Sequence, residues 1–420
     1  MAQYNLQQQV FTLSMLANGD AGIDDPSPAD LANKLNARLQ TLLTSQALTG
    51  LIGNWSVDWG PVVFENQTTS GTYSGVADQT MVVFKGQNPD SPSRGTVYVV
   101  AIAGTNFLSQ FDITQEDGTL YPRQSLPGVN GVYISKGTST GLQTLFAMNN
   151  NQVAGGPYAG KTLQQYLAAV QNTNATLVFT GHSLGGALAP ALALSLFPNR
   201  TATGKWGNVF VYPTAGPNPG GTDFFAAYQE IFGAKVDPVN PNLTWNQLVW
   251  NTLDIVPHAW DYVNDAKSVF PVLAQLPDLY PQICTLEKTP AAHLCLSAAT
   301  TAARTYATGT ASLSVPIQFH PISTNPGVQG AFFSPASPGS PYPAAPTYPV
   351  PAGTLTYWFT EAMFQHIVAY FYLLQVPELL PILGCQNPFD PSAPLNTSAQ
   401  NLAQTVCTKV CKEICDCSKQ

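Results

Sequence analysis

The chain has 420 residues, enough to bury a large core, and 45% of them are hydrophobic, which points to a globular protein. Charged residues make up 10%, against roughly 25% in an ordinary soluble domain. The net charge of −8 leaves no basic face, which excludes nucleic acid as a partner. Surface polarity must then come from Asn, Gln, Ser and Thr, a composition more familiar in exported proteins.

The opening segment, MAQYNLQQQVFTLSML, has no positive n-region and no long apolar stretch, so no standard signal peptide is expected there. Residues 24–50 read as the first solid helix. Ser27 caps it, Pro28 takes the first helical position and Asp30 completes a capping-box pattern. Leu31, Leu35, Leu39 and Leu42 share a face, and Gly50 is the expected stop. The pattern then turns strand-like. Thr80–Phe84 and Thr96–Ile102 flank a turn rich in Gly, Pro, Asn and Asp, and the second run is apolar throughout, as a central strand should be. Ala103-Gly104-Thr105-Asn106 follows at the carboxyl end of that strand, the edge where open α/β sheets bind ligands.

Ala175–Phe197 is the stretch with the clearest chemistry. A short β-branched and aromatic strand, Thr176–Thr180, runs into Gly181-His182-Ser183-Leu184-Gly185-Gly186 and then an Ala/Leu-rich helix. This is a Gly-x-Ser-x-Gly nucleophile elbow with both required flanks. Side chains at 181 and 185 would collide with neighbouring backbone, and the N–H of Leu184 at the helix start favours a developing oxyanion. The second oxyanion donor is expected from the loop after the central strand, which makes Thr105 the candidate.

An acid and a base should follow the serine in the chain. Gln247–Asn251 reads as a strand with Asp254 just past its end, where Asp223, Asp237 and Asp261 compete as ordinary turn formers. Among five histidines, His182 adjoins the nucleophile, His258 is too close to Asp254 in sequence, and His293 and His320 fall in an apparent insertion. His366 comes after the acid and precedes the apolar run Ile367–Tyr372. Phe107, Leu108 and Phe111 set apolar groups beside the oxyanion loop, so Phe107 and Leu108, with His182, are the candidate substrate contacts.

The succession of these pieces resembles the class 3 lipases, α/β-hydrolases related to fungal triacylglycerol lipases. It comprises Ala103-Gly104-Thr105 with Asp112, Gly131-Val132-Tyr133, Gly181–Gly186, Tyr212–Pro217, Asn251-x-x-Asp254-x-Val256-Pro257 and His366-x-x-x-Tyr370. The family usually has Arg where this chain has Ala103, and Thr-Phe-Gly-x-Pro where this chain has Thr214-Ala215-Gly216-Pro217. The resemblance implies an α/β-hydrolase with a mostly parallel central sheet flanked by helices. It also implies an acylglycerol substrate, with soluble esters and phospholipids as alternatives, and admits a lipid–water interface as a partner. The expected machinery is Ser183, His366 and Asp254, with Thr105 and Leu184 at the oxyanion hole; no metal or organic cofactor is needed.

Compact members of the family join acid and base more directly, so residues 263–352 read as a cap-like insertion in a single domain spanning 1–420. Its second part, Leu313–Pro351, holds ten prolines, and no Asp, Glu, Lys or Arg occurs from Thr305 to Thr360. All seven cysteines lie at or beyond position 284, and those in the 385–420 tail have neither zinc-ribbon nor Cys-x-x-Cys spacing. Disulfides are the favoured reading, with lipid attachment and metal binding as alternatives. Disulfides would imply an extracellular or other oxidising compartment. The late apolar stretch Ile367–Gly384 is interrupted by Gln375, Pro377, Glu378 and Pro381, so no transmembrane segment is expected.

Overall fold

The computed structural model describes residues 3–258, save 21–22, 24, 26, 68–70, 91–94, 107–108, 110, 118–121, 154–157, 252–253 and 255, together with 364–383. They fall in two compact units, one within Met1–Val249 and one from Trp250 onward. The expected insertion at 263–352, the tail at 385–420, every cysteine, His293 and His320 lie outside the described residues.

The first unit opens on a helix that the sequence reading did not anticipate, α1 (Leu6–Ala17). Asn5 and Gln8 form a reciprocal capping box at its start, and Leu6, Val10, Phe11, Leu13 and Leu16 are buried. The helix expected over 24–50 is two helices, α2 (Pro28–Thr44) and α3 (Gln46–Ile52). Ser45 divides them because its backbone is extended and its hydroxyl accepts from the Leu48 N–H, capping the second helix. The stop is therefore Gly53 at φ 75°, not Gly50. Of the capping box expected at Ser27, the hydroxyl half is present, Ser27 Oγ accepting from Asp30 N–H at 3.4 Å. The buried stripe is Leu31, Leu35, Leu39 and Leu43, a four-residue spacing that leaves Leu42 half-buried.

Three strands follow, β1 (Ser56–Phe64), β2 (Gln79–Gln87) and β3 (Thr96–Ile102). After them come the small pair β4 (Gln124–Ser125) and β5 (Tyr133–Ile134), then helices α4 (Lys136–Ala147) and α5 (Leu163–Val170). The elbow strand β6 (Thr176–His182) runs into α6 (Leu184–Leu196) and, past the short α7 (Arg200–Thr203), into β7 (Asn208–Thr214). Helix α8 (Thr222–Phe232) and the pair β8 (Lys235–Val236) and β9 (Thr244–Trp245) complete the unit.

The main sheet is mixed, in the order β1-β2-β3-β6-β7. β1, β2 and β3 pair antiparallel, whereas β3, β6 and β7 pair parallel. Every residue of β6 is buried, so both faces of the parallel half are covered. Neighbouring residues on a strand point to opposite faces. A Cβ at Gly181 would strike Gly185 of α6, while the ring of His182 meets that of Phe11 of α1. Helices α6 and α1 therefore cover opposite faces, and the elbow sits between them.

The strand expected over Gln247–Asn251 is reduced to isolated bridge residues, Val249, which pairs parallel with Thr214, and Asn251. The outer edge of β7 explains why. Val211 uses its N–H and C=O on Asn246, and Val249 N–H reaches the Pro213 carbonyl. Pro213 has no N–H to return, so a continuous ladder cannot form there. Asn246, at φ 68°, turns the chain away instead.

The second unit contains a 3₁₀ turn, Val256–His258, and a π-helical stretch, Phe364–Val368, that continues as α9 (Ala369–Leu373) before α10 (Leu379–Leu383). The helix expected to begin at Ile367 thus starts earlier, in π-helical form. Among the described residues no helix is long and apolar enough to cross a membrane.

Candidate active site

Ser183 stands at the end of β6 with φ 59° and ψ −128°, a backbone that L-residues rarely adopt. Such a conformation costs about 1–3 kcal/mol and persists only where the surroundings impose it. Here they do. The Ser183 N–H is held by the Thr214 carbonyl at 3.1 Å, and the Ser183 carbonyl accepts from Gly186 N–H at 2.8 Å. The flanking glycines admit the close approach. A Cβ on Gly185 would lie 2.3 Å from the Ile102 carbonyl oxygen, and one on Gly181 would lie 2.3 Å from the Gly185 carbonyl. Gly186 and Gly216 face each other as closely, each Cβ falling within 2.9 Å of the other's backbone. Leu184 is the first residue of α6, and an N–H at that position has no acceptor within its own helix. It lies on the positive end of the helix dipole.

The segment after β3 is anchored residue by residue. Ala103 N–H goes to the Thr80 carbonyl, Gly104 N–H to Asn18 Oδ1 at 2.7 Å, and Asn106 N–H to Asp112 Oδ2 at 2.8 Å. Ser109 extends the chain of contacts, its hydroxyl donating to Asp78 Oδ1 at 2.5 Å and accepting from Asp112 N–H at 2.9 Å. The peptide of Thr105 is thus held from both sides. A Cβ on Gly104 would fall 3.0 Å from Ser183 Cβ, so this loop passes directly against the elbow. His182 is buried, with Nδ1 2.9 Å from Thr214 Oγ1 and its ring edge-on to Phe11. Phe107 and Leu108 lie outside the described residues.

Asp254 and His366 meet in the second unit. His366 Nδ1 lies 2.9 and 3.0 Å from the two oxygens of Asp254, and both side chains are buried. Tyr370 Oη donates to Asp254 Oδ2 at 2.8 Å, and Val256 N–H to Oδ1 at 3.0 Å. The carboxylate therefore accepts from three residues. With its Nδ1–H donating to Asp254, a neutral His366 carries its lone pair on Nε2, the tautomer a general base requires.

Asn251 organises this cluster. Its carbonyl accepts from Asp254 N–H, its N–H donates to Tyr370 Oη at 2.9 Å, and its carboxamide donates to Gln365 Oε1 at 2.7 Å and Gln365 O at 3.0 Å. Gln365 and Asn18 were not singled out from sequence. Neither belongs to a recognisable pattern, and Gln365 offers only its place beside His366.

The competing groups have other work. Asp223 pairs with Arg123 at 3.0 Å and takes the Tyr133 N–H, and Asp237 accepts from Val239 N–H, Asn240 N–H and Trp245 Nε1. Asp261 lies outside the described residues.

A β-strand, strained serine turn and buried helix on a sheet of this order define an α/β-hydrolase-like fold. Residues 99–262 match the family model described as lipase (class 3). That match takes in the elbow and Asp254, and it supports a carboxylic ester hydrolase similar to the class 3 lipases. Its fold is similar to the crystal structure of M37 lipase, with a TM-score of 0.60 and 20% identity over 95% of this chain and 100% of that one. Weaker similarity extends to a Rhizomucor miehei lipase–propeptide complex, with a TM-score of 0.36, 17% identity, and 60% and 62% of the two chains covered. A lipase from Rhizopus microsporus var. chinensis gives a TM-score of 0.37 and 14% identity, with 61% and 70% covered. No curated protein matches the chain.

Proposed function

We propose that this protein is a lipase that hydrolyses acylglycerol esters through an acyl-enzyme formed on Ser183. The observation that carries this reading is the strained Ser183 backbone at φ 59°, ψ −128°, between β6 and α6. A protein bears such strain where a hydroxyl must stand clear of its own backbone. Ser183 Oγ attacks the ester carbonyl carbon while His366 Nε2 takes its proton. The N–H groups of Leu184 and Thr105 receive the negative charge of the tetrahedral intermediate. Collapse expels the alcohol, which leaves with the proton from His366. Water then repeats the sequence on the acyl-enzyme and frees the carboxylic acid. Asp254 holds the imidazole in its working tautomer and stabilises the imidazolium.

Phe107 and Leu108 are read as contacts for the acyl chain, with His182 behind the nucleophile. An acyl chain gains about 0.8 kcal/mol for each CH₂ it buries, so apolar walls here favour medium or long acyl groups. The remaining organisation belongs to the same reading: one hydrolase domain through 1–420, a cap over 263–352 and an extracellular or other oxidising setting.

Two measurements test it. A fluorophosphonate probe should label Ser183, and no labelling of folded protein would make the chain a silent hydrolase scaffold. A rate profile across p-nitrophenyl esters and triglycerides should rise toward longer acyl chains. A preference for acetate over every longer ester would make it an esterase for soluble substrates.

A further inference from the structure

We propose that Asn18 is a positioning residue for the oxyanion loop, an inference that rests on the hydrolase reading of Ser183 and Thr105. Asn18 is the C-cap of α1, where its own N–H already serves the last carbonyls of the helix. Its side chain makes two bonds of opposite polarity. Nδ2 donates to the Ser14 carbonyl at 2.9 Å, which fixes the carboxamide against its own helix. Oδ1 accepts from Gly104 N–H at 2.7 Å. The amide is thereby oriented, because the Gly104 donor demands oxygen and the Ser14 carbonyl demands nitrogen.

Gly104 is where this bond matters. An ideal Cβ there would meet the His182 carbonyl oxygen at 2.7 Å, Ser183 Cβ at 3.0 Å and Asn18 Oδ1 at 3.4 Å. The loop backbone, the elbow and the Asn18 carboxamide thus converge on one point. The next peptide along is that of Thr105, and its far side is held through Asn106 N–H on Asp112. Losing the hold on the Gly104 N–H would free φ and ψ at Gly104, the two dihedrals that aim the Thr105 N–H. The same helix also braces the elbow, through the Phe11 ring edge-on to His182 and His182 Nδ1 on Thr214. Helix α1 therefore ties both halves of the oxyanion site to one rigid element, which is what preorganised donors require.

The test uses the full chain and three variants: Asn18→Leu, which removes the acceptor at similar volume, Asn18→Asp, which keeps an oxygen at that position, and Val10→Ala. Val10 is a buried residue of α1, and its truncation serves as a purely structural control. With p-nitrophenyl butyrate, Asn18→Leu should lower kcat about tenfold with KM unchanged, the size expected from one lost hydrogen bond. Val10→Ala should lower the urea midpoint and leave kcat as in the unaltered protein. Hydrogen exchange of a peptide spanning Ala103–Asn106 should quicken in Asn18→Leu and stay slow in Asn18→Asp. An unchanged kcat in Asn18→Leu, or equal kcat losses in Asn18→Leu and Val10→Ala, overturns the proposal. If the unaltered protein neither hydrolyses esters nor takes the probe, the hydrolase reading fails, and exchange alone then judges the Asn18–Gly104 hold. Equal exchange in all variants rejects that hold.

Discussion

Tyr370 Oη donates to Asp254 Oδ2 at 2.8 Å, on the same oxygen that lies 2.9 Å from His366 Nδ1. A buried carboxylate needs every donor it can recruit, because an unpaired charge in such a place is costly. Tyrosine supplies one, while its own oxygen accepts from Asn251 N–H. Removing the hydroxyl should therefore disturb the acid without touching the base. A hydrogen bond to a charged group contributes about 1.5–3 kcal/mol. Tyr370→Phe is expected to lower kcat by about 10- to 100-fold, with circular dichroism unchanged. Full activity in the variant would reduce this bond to packing.

The strain at Ser183 separates stability from activity. Glycine enters φ 59°, ψ −128° without the Cβ conflict that serine bears. Ser183→Gly should abolish ester hydrolysis and raise the unfolding free energy by about 1 kcal/mol, strain relief exceeding the added chain entropy. Ser183→Ala should abolish hydrolysis with little gain, since alanine keeps the Cβ. Urea titration of the three proteins decides it; equal midpoints would mean that the turn is unstrained.

Gly185 tests the other side of the elbow. Its missing Cβ would sit 2.3 Å from the Ile102 carbonyl oxygen and 2.7 Å from that of Ala103. Both are backbone atoms at the end of β3, so relief requires moving the helix or the strand. Gly185→Ala should destabilise the fold by about 1–3 kcal/mol and lower kcat by displacing the loop that begins at Ala103. A variant with unaltered Tm and kcat would show that the contact is slack.

Asp78 sets an expectation for pH. Burial pushes its carboxyl above the ordinary 3.8, and the bonds from Ser109 Oγ and Asn66 N–H offset this only in part. A group whose folded pKa is raised contributes stability that is complete below the unfolded value and is lost as pH rises through the folded one. The unaltered protein should therefore lose this contribution between pH 3.8 and the raised folded value. In Asp78→Asn that part of the slope should vanish, measured as the difference in urea midpoint between the two proteins from pH 4 to 7. Parallel curves would mean that Asp78 stays ionised in the fold.

What the sequence determined on its own was whatever depends on neighbours in the chain. The elbow was legible because its glycines answer to contacts of a strand, a turn and a helix that follow one another. The bounds of β3 and the start of β6 were legible because a run buried on both faces is apolar throughout, whereas β6 continues two residues beyond Thr180, to His182. The Asn251-x-x-Asp254 spacing was legible as a motif, though its reason was not. Asn251 reaches Gln365 and Tyr370 across more than a hundred residues, and no local pattern encodes such a bond. The break at Ser45 is local too, its hydroxyl capping a new helix through the Leu48 N–H three residues on, whereas other features were left to tertiary structure. It decided the lost strand at Val249, where Pro213 presents an edge without a donor. Asn18 belongs to the same class. A side chain at the end of a helix holds the loop after β3 only when the sheet brings the Gly104 N–H within 2.7 Å of it. Local sterics are written in adjacent letters, whereas hydrogen bonds between distant segments exist only once the fold has chosen which backbone donors come together.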